Sequence, residues 1–143
     1  MLRILALASF LAAAPVIAQP FQSGDQVVQK LSSYSFNDLR REAELGRPLR
    51  GKTLKADALD HDLQAASEYF KGRQASKPAA LQMMRALLMI EMTDGGNPTA
   101  IDYVAPIYDK NRDVFRSAMK DLHPTDRKYI RERLGTYCLR RCG

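Results

Sequence analysis

An all-α fold follows from three features of the sequence. Apolar residues recur at the three- and four-residue spacing of helices rather than in strand alternation. The breaks between segments carry helix start and stop chemistry, and one segment, residues 77–93, is apolar on almost every side. A helix of that last kind belongs in the middle of its domain. The expected architecture is therefore an irregular bundle of five to seven short helices around this central one.

The chain begins MLRILALASFLAAAPVIAQP, with Arg3 ahead of an apolar run from Ile4 to Ala14, then Pro15 and the small residue Ala18. This pattern predicts a secretory signal peptide over residues 1–18, cleaved after Ala18. Its apolar core falls short of the roughly 20 residues a membrane-spanning helix needs. No second segment of membrane length follows, so a single helical domain over residues 19–143 is expected in the periplasm or outside the cell.

Within that domain, Ser23 with Gln26 predicts a capped helix through Tyr34, and Ser35 with Asp38 repeats the signal for a helix to about Leu45. Gly46–Lys52, GRPLRGK, reads as a loop. Thr53 opens a third helix that stops near Gly72, and the fourth runs from about Lys77 to Thr93, closed by Asp94-Gly95-Gly96. Asn97-Pro98 starts a fifth. Pro106 should kink that helix or begin a new one continuing to Leu122. His123-Pro124-Thr125-Asp126 starts the last, for which Gly135 is the expected stop.

Burial of Leu81, Leu87, Leu88 and Ile90 on the central helix should contribute about 1.5 to 3 kcal/mol each. Four charges fall among apolar neighbours: Lys55 and Asp62 on the third helix, Arg85 and Glu91 on the fourth. Such charges are costly to bury unless paired, so structural pairing is expected, with Asp62 or Glu91 serving Arg85.

The two cysteines, Cys138 and Cys142, stand in the terminal stretch YCLRRCG. In an oxidising compartment they are expected to form a disulfide that staples the terminus, contributing about 2 kcal/mol through chain entropy. A helix ending at Gly135 would free the tail from Thr136 for that geometry. The alternative is a soft-metal site for copper or zinc at the two thiols, with Met83, Met84, Met89 and Met92 as further candidate ligands. Buried methionines are more often core filler. Asp57 and His61 lie one helical turn apart, but with Asp60, Gln64 and Glu68 they form one polar side, the pattern of a solvated face. No cofactor and no metal are expected.

Catalytic motifs of the metalloprotease, serine-hydrolase and phosphate-loop kinds are absent, and the chain has no tryptophan to wall a sugar cleft. An envelope hydrolase therefore ranks last among the functional readings. Charge is the stronger signal. Gln19–Asp109 carries 11 Lys and Arg against 12 Asp and Glu, whereas Lys110–Gly143 carries 10 against 4. The positive excess is confined to the C-terminal helices: Lys110, Arg112, Arg116, Lys120, Arg127, Lys128, Arg131, Arg133, Arg140 and Arg141. Such a surface attracts anions, and arginine favours bidentate contacts to carboxylate or phosphate. Export argues against nucleic acid. The expected function is that of a non-enzymatic binder, inhibitor or accessory subunit that holds an acidic protein or another anionic envelope component.

Overall fold

Residues 20–93 and 99–141 are described by the computed structural model, and seven helices, with no strand, make up their regular structure. These are α1 (Gly24–Ser32), α2 (Phe36–Leu45), α3 (Lys55–Phe70), α4 (Lys77–Thr93), α5 (Ala100–Lys110), α6 (Arg112–Met119) and α7 (Pro124–Arg141). The expected leader over 1–18, the glycine stop after Thr93 and the Asn97-Pro98 start lie outside the described residues. So does Cys142.

Helix α4 touches all six others. Ala79, Ala80, Met83, Met84, Ala86, Leu87 and Ile90 are almost wholly enclosed, which is what its composition calls for. Leu81 is only half-buried. Around it the core is completed by Val27 and Leu31 of α1, Leu59, Leu63 and Ala66 of α3, Val104 of α5, Phe115 of α6 and Ile130 and Leu134 of α7.

The first two helix starts rest on serine. Ser23 Oγ accepts from the Gln26 amide at 3.2 Å, and Gln26 Oε1 accepts in turn from the Gln22 amide at 2.8 Å. Ser35 Oγ accepts from Asp38 at 3.5 Å, and Gly46, at φ 65°, ends α2 in the left-handed conformation that a glycine adopts without strain. Helix α3 starts differently. Its cap position is Leu54, with no side-chain acceptor, and Thr53 plays no such part. The acceptor comes from α2 instead: the buried Glu42 carboxylate takes the Lys55 amide at 2.5 Å and the Leu49 amide at 3.0 Å. A carboxylate at a helix N-terminus meets both unsatisfied N–H groups and the positive end of the helix dipole.

Two expected breaks move. Pro106 lies inside α5 without ending it, because its ring is exposed while Ala105, Ile107 and Tyr108 anchor the helix in the core. The break comes at Asn111, where φ is −129° and ψ 36°. Here Asn111 Nδ2 donates to the Ile107 carbonyl at 2.8 Å, replacing a main-chain bond, while Oδ1 accepts from the Ala75 amide at 3.0 Å. One side chain thus breaks the helix and fastens the loop before α4. Gly135 does not end α7 either. It has no positive φ, and the helix runs on to Arg141 because Ile130, Leu134 and Cys138, spaced four apart, form a single buried stripe.

Three tyrosines tie helices together through carboxylates. Tyr34 donates to Asp62 at 2.5 Å, Tyr129 to Glu91 and Tyr137 to Asp102. Burial and then the Asp62 bond push the Tyr34 phenol above its ordinary range, and burial followed by Glu91 does the same at Tyr129. At Tyr137 the hydrogen bond to Asp102 is the main cause.

Candidate functional site

Among the described residues, the side of α4 that the other helices leave uncovered carries Gln82, Arg85, Met89 and Met92, three or four residues apart and so on one stripe of the helix. Leu88 borders it. Facing this stripe are Leu31 and Ser32 from the end of α1, Tyr34 from the turn, Phe36 from the start of α2 and Asp126 from the first turn of α7. Together they line an open groove of about 550 Å³, a volume within the range of ligand and peptide clefts. Its walls are mainly apolar. Phe36 and Met92 are 38% and 54% exposed there, two of the five large apolar side chains that stay exposed among the described residues.

The polar groups at the groove are disposed in an unusual way. Arg85 is exposed and makes no hydrogen bond or ion pair with any described residue. Its expected pairing with Asp62 or Glu91 does not form. Glu91 lies six residues on, about 120° around the helix from Arg85, and its carboxylate takes Arg133 Nε at 3.0 Å together with the Tyr129 hydroxyl. Asp62 is engaged by Tyr34, with Lys30 Nζ at 3.9 Å. Lys55 does not meet Asp62, its Nζ lying 2.6 Å from Asp38, and that ammonium's hydrogen bond holds the Asp38 carboxyl below the usual range. Asp126, across the groove, likewise has no side-chain bond to a described residue, and it does not bridge to Arg85.

The C-terminal cations divide into two groups. Four are engaged within the chain: Arg112 with Asp109 at 2.5 Å, Arg116 with Asp113 at 3.8 Å, Arg133 with Glu91, and Arg127 with main-chain carbonyls. The Arg127 guanidinium receives no acid. It donates to Met119 and Lys120 at 3.0 Å and to Leu122 at 3.3 Å, tying together the carbonyls of the turn that leads out of α6. Lys110, Lys120, Lys128, Arg131 and Arg140 are exposed and without such bonds, and Arg141 lies 6.0 Å over the Tyr137 ring. Lys128 and Arg131 share one side of α7, some three turns from Arg140 and Arg141. The positive charge is thus spread in patches rather than gathered on one face.

Cys138 is buried at the inner side of α7, and there is no free cysteine among the described residues. Met83 and Met84 are fully enclosed in the core while Met92 stands out at the groove, so the four methionines do not converge. His61 and Asp57 lie on the exposed side of α3, and His123 Nδ1 accepts from the Thr125 amide at 3.3 Å, a cap for α7. No protein-family model, curated protein or solved structure matches the chain.

Proposed function

We propose that this chain is an exported, non-enzymatic interaction protein that holds an acidic partner on the unengaged cations of the α6–α7 connection and of α7. The supporting observation is the division just described: Lys120, Lys128 and Arg131 are exposed around the α6–α7 connection with their charge uncompensated, whereas Arg112, Arg116, Arg127 and Arg133 are already engaged. A field of uncompensated cations speeds and orients encounter with an anionic surface. In this reading residues 1–18 are a cleaved leader, the protein works in the periplasm or outside the cell, and a Cys138–Cys142 disulfide secures the end of α7 beside Arg140 and Arg141.

Retention on immobilised poly-glutamate measures the proposal. Binding should weaken steeply with salt, and the double variant Lys128→Glu, Arg131→Glu should elute earlier than Arg47→Glu, Arg50→Glu, which removes equal charge from the α2–α3 loop. Equal losses from the two variants, or retention indifferent to salt, would reject it.

A further inference from the structure

The groove beside α4 is a second feature, independent of the free cations. At about 100° per residue, Lys128 and Arg131 lie some 140° to 160° around α7 from Asp126, the residue that faces the groove. Three observations define what it would accept. Its floor is an apolar strip about one helical turn long on α4, Leu88, Met89 and Met92, continued along the same helix by Gln82 and Arg85, with Phe36 opposite. Methionine side chains adapt to differently shaped apolar surfaces. And two charges of opposite sign, Arg85 on this same stripe of α4 and Asp126 on the facing first turn of α7, line the groove without meeting each other or any other described residue.

An uncharged occupant would leave both of these charges partly dehydrated and unanswered, at a cost in affinity. A simple anionic amphiphile would answer Arg85 and be repelled by Asp126. An amphipathic helix can answer all three features at once, because its apolar residues form a stripe and the positions bordering that stripe can carry an acid for Arg85 and a base for Asp126. The open form of the groove also suits a rod laid along it better than a small molecule, which is normally enclosed. We infer that the groove is a docking site for an amphipathic helical segment of another protein, with an acidic side chain meeting Arg85 and a basic one meeting Asp126.

The test is a display selection of helical peptides, with a fixed apolar stripe and randomised flanks, against the full chain and against Arg85→Glu. Because Arg85 makes no internal bond, the variant should melt at the parent temperature, so lost binding is not lost folding. The expected result is enrichment of peptides with an acid on one flank and a base on the other, with affinity for Arg85→Glu lowered about tenfold. Changing that acid to lysine in the peptide should restore binding to Arg85→Glu. Lys128→Glu, Arg131→Glu should bind the peptides as the parent does, which separates this site from the anionic-partner proposal. No enrichment, enrichment without a charge preference, or equal binding to Arg85→Glu would overturn the inference. So would dodecanoate binding that depends on Arg85 in the absence of peptide binding, or self-association of the chain abolished by Met92→Asp.

Discussion

Helices α4 and α7 are nearly equal in length, 17 and 18 residues, yet they relate to the rest of the molecule in opposite ways. Helix α4 is wrapped by six neighbours and buries eight residues, whereas α7 lies against the body through a single stripe of three. The contrast shows where local sequence is sufficient. Composition alone places a helix that is apolar on most sides, because only the interior accommodates it. A helix with one narrow apolar stripe leaves its remaining side chains to whatever the neighbouring helices present, and three arginines on α7 consequently meet three different fates. Arg127 secures the end of α6, Arg133 pairs with Glu91, and Arg131 stays in solvent.

The largest expected effect lies on α4. Leu87 is fully enclosed, so Leu87→Asp buries an unpaired carboxylate and leaves a void; the far-ultraviolet circular dichroism of the variant should show an unfolded chain at room temperature. If it remained folded, the surrounded position of α4 would be in error. On α7 the comparison is between neighbours in sequence. Arg127→Gln should cost about 2 kcal/mol in urea unfolding, since three carbonyls lose a charged donor, while Lys128→Gln should stay within about 0.5 kcal/mol of the parent. Equal effects would remove the distinction between engaged and free cations.

The smallest effect is a gain. A Cβ at Gly135 would meet nothing within 4 Å, and the residue sits in a continuous helix. Gly135→Ala should therefore raise stability by about 0.5 to 1 kcal/mol in the same titration. A loss would mean that this position needs a conformation only glycine supplies, which would return α7 to a helix that stops there.

Much of the fold was legible because its signals are local. The serine caps at Ser23 and Ser35, the glycine stop at Gly46 and the apolar run of α4 each occupy a few consecutive residues. The features missed are long-range. Tyr129 reaches Glu91 across 38 residues, Tyr137 reaches Asp102 across 35, and Asn111 reaches Ala75 across 36. No periodicity announces such contacts. Gly135, and Pro106 as the start of a new helix, misled for a related reason: each opposes helix locally, but packing of the residues on either side outweighs a backbone preference of about 1 kcal/mol at the glycine and about 3 at the proline. At the groove, Arg85 was recognisable as an anomaly on an apolar helix. That its surroundings would remain open instead of supplying an acid depended on the placement of α1, α2 and α7.

The Glu42 carboxylate bears on how the molecule can change over evolutionary time. Surface connections ordinarily absorb added or deleted residues at little energetic cost. The stretch between α2 and α3 is rich in glycine and proline and looks like such a place, but the amides of Leu49 and Lys55 both end on one enclosed acid. One extra residue between them would withdraw a donor from it, so this loop should hold its length while its exposed side chains vary freely.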